Sequence, residues 1–129
     1  MNLKTILIID DSFFDRLIAS EVIKQSLHTT NVIALESAEE ALEYLSGKTK
    51  LPSETPDIIL LDIKMPKVDG FEFLVRYEKL LPSLTPAPKI YMLSSSIDPD
   101  DINKALKSKH VEDFIEKPIT EEKLEWLNW

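Results

Sequence analysis

Four short runs in this chain each end on a residue able to do acid–base, metal or anion chemistry. Residues 6–9, I-L-I-I, stop at Asp10 and Asp11, and residues 58–61, I-I-L-L, stop at Asp62. Residues 89–93, K-I-Y-M-L, run into Ser94, and residues 113–116, D-F-I-E, are followed by Lys117 and a proline. Three carboxylates brought within a few ångströms repel one another, and one or more takes up a proton unless cations intervene. Hard oxygen ligands of this kind suit Mg2+, which accepts one or two carboxylates together with water and phosphate oxygens. A divalent ion and the Lys117 ammonium together offset the acidic charge and draw in a phosphoryl group. The metal would supply positive charge to its oxygens, the lysine would pair with one of them, and the Ser94 hydroxyl would bond another. Asp62 then stands as a nucleophile able to form an aspartyl phosphate.

These residues meet only if the runs that carry them lie side by side. A short, wholly apolar, β-branched run reads as a strand buried on both faces, the habit of parallel sheets, whose ligands bind beyond the carboxyl ends of the strands. Strands are expected at residues 5–9, 31–35, 57–61, 89–93 and 113–116. Asp11 or Ser12 caps a first helix in which Phe14, Leu17, Ile18, Val22 and Leu27 lie close to one stripe. Ser37, with Glu40 in capping-box position, opens a second helix that buries Ala38, Ala41, Leu42 and Leu45 and ends at Gly47. A third helix is expected over 71–81 after a turn closed by Gly70. A fourth runs from an Asp98 cap and Pro99 to about Lys107. A short fifth helix covers about 121–129. Five strands alternating strictly with five helices imply an α/β sandwich, a parallel sheet with helices on both faces.

Composition sets the bounds. At 129 residues the chain is read as one domain, residues 1–129, long enough for a single core. A formal net charge of −8 argues against direct nucleic-acid binding, because phosphate backbones attract basic surfaces. There is no cysteine, hence no disulfide or thiolate metal site. No apolar run nears the roughly 18 residues of a membrane span, so no membrane partner is expected and a cytoplasmic location is the default.

Singly, each motif has an ordinary explanation: an acidic pair caps helices, serines follow strands, and K-P is a common dipeptide. Together, I-L-I-I-D-D at 6–11, L-L-D-I-K-M-P-K-V-D-G at 60–70, Y-M-L-S-S at 91–95 and D-F-I-E-K-P at 113–118 resemble the response-regulator receiver domain of two-component phosphorelays over nearly the whole chain. The resemblance implies a flavodoxin-like, three-layer sandwich with strand order 2-1-3-4-5. It implies Asp62 as phospho-acceptor and Mg2+ held by Asp11, Asp62 and the Lys64 backbone carbonyl, with Asp10 acting mainly through a metal-bound water. It implies Ser94 as the hydroxyl that closes on the phosphoryl group, Lys117 as the site lysine ahead of a commonly cis proline bond, and Phe114 as a rotameric switch aromatic. The implied partners are a histidine kinase or phosphotransfer protein as donor and an unidentified output protein. The output face is made by helix 4, strand 5 and helix 5, with the chain a monomer or a weak dimer through that face. Such a protein is a regulator with slow self-dephosphorylation rather than an enzyme. Lys64 and Ser96 occupy positions that tune phosphoryl lifetime in that family.

Plainer readings stand beside these. Phe114 also fits as core packing, and Trp126 and Trp129, three apart on one helical face, fit as an apolar seal. His28 and His110 lack metal-ligand spacing and read as surface residues. A phosphatase of the haloacid-dehalogenase type needs a second Asp two residues after its nucleophile, where this chain has Lys64. A nucleotide-binding domain needs a glycine-rich loop, and Gly47 and Gly70 are isolated. The remaining alternative is a phosphorylation-independent interaction module on the same fold.

Overall fold

The apolar runs assemble as a five-stranded, wholly parallel sheet in the order β2-β1-β3-β4-β5, the flavodoxin-like arrangement. A computed structural model describes residues 4–26, 30–47, 55–80, 87–95 and 98–125. His28, Ser96, Trp126 and Trp129 lie outside the described residues. In chain order the elements are β1 (Lys4–Ile9), α1 (Phe13–Ser26), β2 (Thr30–Leu35), α2 (Ala38–Leu45), β3 (Ile58–Asp62), α3 (Gly70–Glu78), β4 (Lys89–Ser94), α4 (Pro99–Lys107), β5 (Val111–Glu116) and α5 (Glu121–Glu125).

Side chains that alternate along the strands divide the core in two. Leu7, Ile9, Ile59, Leu61, Ile90 and Met92 face a layer built on α2, α3 and Ala105 of α4. Ile6, Ile8, Ile58, Leu60, Tyr91 and Leu93 face the opposite layer, with Ala19 and Ile23 of α1 and Leu124 of α5. Every residue of β3 is buried, which explains why its sequence is continuously apolar rather than alternating. Each fully buried Ile or Leu contributes about 1.5–3 kcal/mol, so these central strands are the rigid base of the molecule.

The caps largely follow the expected chemistry. The Ser37 side chain accepts from the Glu40 N–H at 3.1 Å, but the returning Glu40 carboxylate takes the Glu36 N–H rather than that of Ser37. Gly47 ends α2 with φ +76°, a conformation that suits a residue without Cβ. Asp98 caps α4 through the Asp100 N–H at 2.9 Å. The start of α3 differs: Asp69 is the cap, accepting from the Glu72 N–H at 2.9 Å, and Gly70 is already helical.

Three expectations are corrected. Of the expected α1 stripe, Val22 packs against the core beside the buried Ala19 and Ile23, Leu27 lies outside the described residues, and Phe14, Leu17 and Ile18 are exposed with Phe13, Phe14 at 73 %. The sheet therefore meets the small side of this helix, and its large apolar side faces out. Strand β5 begins two residues early, at Val111, because Ile90 pairs with Val111 and Tyr91 with Asp113; Glu112 is the extra residue of a bulge. His110 is not a free surface residue: its side chain is 15 % exposed, lies edge-on to Tyr77 at 5.9 Å and sits 3.5 Å from Glu78.

Candidate functional site

Among the described residues, Asp10, Asp11, Asp62, Lys64, Ser94 and Lys117 sit at or just beyond the carboxyl edge of the sheet, and Phe114 does not. The ladders continue one step past the strands and fix this edge. The Asp10 N–H donates to the Leu35 carbonyl at 3.1 Å, the Ile63 N–H to Leu93 at 3.0 Å and the Lys117 N–H to Ser94 at 2.7 Å. The loop after Asp62 is equally constrained. Lys67 has φ +67° and lies inside a γ-turn closed by the Val68 N–H on the Pro66 carbonyl at 2.8 Å. Gly70 then passes so close that a Cβ there would stand 2.6 Å from the Asp62 carbonyl oxygen. The turn thus folds back onto the residue it follows, and only glycine fits.

Asp10, Asp11 and Asp62 offer carboxylate oxygens that all lie within 4.8 Å of one another. Asp10 and Asp62 are buried and Asp11 is exposed, so the cluster opens to solvent on one side. The Asp10 carboxylate also accepts the Ser12 N–H at 2.9 Å, which ties it to the start of α1. The Lys117 ammonium lies 2.6 Å from Asp10 Oδ2, 3.0 Å from Asp15 Oδ2 and 3.4 Å from Asp62 Oδ1. The bond from Lys117 to Pro118 is cis, as the resemblance implied.

Charge follows from this packing. Burial, and then the neighbouring Asp10 charge, pushes the Asp62 carboxyl up to about 7 against the pull of Lys117. Burial works against the Lys117 ammonium, but hydrogen bonds to Asp10 and Asp15 and the charges of Asp62 and Asp10 outweigh it and hold its pKa above the ordinary lysine value. One lysine does not satisfy three carboxylates, two of them buried. The group fits a hard divalent cation by donor type and spacing, and it contains no histidine or thiolate that would favour a softer metal.

Ser94 is buried at the end of β4, beside β5 through its pairing with Glu116. Lys64 is exposed in the loop that follows β3. Phe114 stands apart, opposite Met92 in the ladder and partly buried against the α3 side of the core. Two residues were missed from sequence. Asp15 takes part in the lysine's coordination, and the Arg16 guanidinium donates to the Asp10 carbonyl at 2.8 Å. An acid in the first turn of a helix ordinarily reads as a complement to the helix dipole, so nothing in the one-dimensional pattern separated Asp15 from that role.

The doubly wound parallel sheet and the acidic, lysine-bridged cluster at its carboxyl edge define a flavodoxin-like α/β domain with a candidate cation site. The chain belongs to the response regulator receiver domain family, which it matches over residues 6–126. It is 37% identical over 119 residues to the two-component response regulator ORR1 of Oryza sativa, covering 88% of this chain and 49% of that protein. The chain thus spans about half the length of that plant relative. It is 32% identical to the chemotaxis protein CheY of Listeria monocytogenes, covering 88% of this chain and 86% of that protein. In structure it resembles a two-component response regulator from Cytophaga hutchinsonii, with a TM-score of 0.84 at 26% identity over 97% of this chain and 93% of the other. The phosphorylated cyanobacterial phytochrome response regulator RcpA is similar at a TM-score of 0.79 and 31% identity, covering 95% and 86%. The protein is therefore a receiver domain of the two-component kind, consistent with phosphorelay signalling. Among the described residues no helix is long and apolar enough to cross a membrane.

Proposed function

We propose that Asp62 accepts a phosphoryl group from the phosphohistidine of a histidine kinase or phosphotransfer protein, and that the added charge switches a face of this domain toward an output partner in the cytoplasm. The observation that carries this reading is the placement of Asp62: a buried carboxylate with an ammonium 3.4 Å away and two further carboxylates around it. The relative RcpA was captured phosphorylated, which supports the same chemistry here.

A carboxylate oxygen of Asp62 attacks phosphorus as the P–N bond to the imidazole breaks. The imidazole nitrogen keeps the electron pair and takes a proton from solvent, leaving as neutral imidazole. Asp10, Asp11, Asp62 and the Lys64 carbonyl would hold Mg2+, whose charge offsets that of the phosphoryl oxygens. Lys117 pairs with one phosphoryl oxygen, and the Ser94 hydroxyl donates to another. Phe114 fills space vacated behind Ser94. Helix α4 lies against β5, and the α4–β5–α5 face responds. A weak dimer, if the chain forms one, would pair through the same face. Water later cleaves the P–O bond and releases inorganic phosphate, so the chain resets as a regulator and does not turn over a substrate.

The exposed Phe13, Phe14, Leu17 and Ile18 side of α1 begins three residues after Asp10, beside the mouth of the site. It supports docking of a protein donor with an apolar helical face, because a phosphohistidine must be brought to within bonding distance of Asp62. Replacing Asp62→Asn tests the assignment: the variant should fold and take up no label from a small phosphodonor. Labelling at the wild-type rate would move the acceptor elsewhere.

A further inference from the structure

Lys117 has three N–H donors and three carboxylate neighbours. The two shorter contacts, 2.6 Å to Asp10 at the end of β1 and 3.0 Å to Asp15 on α1, hold the ammonium between these two elements; the third, to Asp62, is longer at 3.4 Å. The lysine side chain is 11 % exposed, so it has little freedom to find other partners in water. Asp10 belongs to the acidic cluster that fits a cation, and Asp62 to the reacting group. Asp15 alone stands outside both, on the first turn of α1, with a hydrogen bond to a residue 102 positions away in sequence.

We propose that Asp15 is a positioning residue: its carboxylate anchors the Lys117 ammonium from the α1 side, so that the remaining donor faces the acceptor carboxylate. This rests on the reading of Asp62 as acceptor. With a cation held at Asp10, the Asp15 contact would keep the lysine in place. The preorganised ammonium meets the incoming phosphoryl oxygens without first being reoriented. The first turn of α1 is set by the Ser12 hydroxyl, which accepts the Asp15 N–H at 3.3 Å, so the anchor is itself held at a fixed height above the sheet edge. Asp15 lies outside the acidic cluster and acts through the lysine.

The test is a double-mutant cycle on the rate of labelling by a small phosphodonor, acetyl phosphate, with Mg2+. Asp15→Asn should slow labelling about fivefold without lowering the melting temperature, and Asp15→Glu should restore most of the loss. In a Lys117→Ala background Asp15→Asn should slow labelling no further. Equal slowing in both backgrounds, or an unchanged or faster rate in the single variant, would overturn the proposal. If Lys117→Ala labels too slowly to measure, the ammonium itself is the readout. In 15N-lysine-labelled protein the Lys117 ammonium signal should be exchange-protected, lost in Asp15→Asn and regained in Asp15→Glu. Its persistence in Asp15→Asn would equally overturn the idea. Absence of labelling in the wild type would instead mean that the acceptor reading itself has failed.

Discussion

A carboxyl group closed off from water at the end of an all-apolar strand resists ionisation, and Asp62, 5 % exposed, is such a group. Burial first, and Asp10 second, raise it from an ordinary 3.8 to about 7. Between those values the folded chain binds more protons than the unfolded one, so stability falls as pH rises through that window, and the full penalty is present above about 7. The raised pKa of Lys117 works in a different range: its stabilisation is complete below the unfolded lysine value and is lost only at higher pH. In metal-free protein, Asp62→Asn should therefore melt several degrees above wild type at pH 8, a gain on the order of 1–3 kcal/mol that shrinks at pH 5. Melts in EDTA at the two pH values check this, and an equal shift at both would contradict it. At Gly70 the steric argument is sharper. Gly70→Ala should lose about 1–3 kcal/mol of stability by chemical denaturation, because the new methyl meets backbone rather than a yielding side chain. Asp10, Asp11, Asp62 and Ser94 were legible because each closes an apolar run, and Lys117 because a proline marks the stop. Asp15 was not, since only the fold brings a first-turn acid against a lysine from the far end of the chain.

Helix α1 shows what periodicity leaves open. A stripe of Phe14, Leu17 and Ile18 identifies an amphipathic helix but does not say which side the sheet takes. Packing against a close parallel sheet favours the small Ala19 with Ile23, and the bulkier stripe is left outside. Phe13 and Phe14 contact each other edge to face at 5.9 Å, and the Arg16 guanidinium lies 5.9 Å from the Phe13 ring. If this surface receives a phosphodonor protein, Phe14→Asp should reduce transfer from that protein tenfold or more by rough hot-spot energetics while leaving labelling by a small donor intact. A parallel loss with both donors would place the defect in the site rather than in docking. The residue's exposure makes loss of folding an unsuitable explanation, and a circular dichroism melt would confirm it. The early start of β5 escaped the sequence for a different reason: the bulge at Glu112 hides Val111 from a strict two-residue alternation.

At the scale of the whole molecule, strict alternation of strands and helices was enough to anticipate the three layers, because parallel strands need crossovers and crossovers cover both faces. Sheet order was not contained in that pattern. It came with the resemblance, and hydrogen bonding bears it out. That order puts β1 and β3 side by side and β4 and β5 beyond them, so Asp10, Asp62, Ser94 and Lys117 arrive along one edge from positions more than a hundred residues apart. The central claim is that this edge is built to hold a phosphoryl group on Asp62 with a divalent cation beside it. Intact mass after incubation with acetyl phosphate, once with Mg2+ and once with EDTA, tests it most directly. One added phosphoryl group, about 80 Da, seen with Mg2+ and absent with EDTA, is the expected result. No adduct under either condition, in protein that melts cooperatively, would contradict the account and leave the acidic pocket without the chemistry assigned to it.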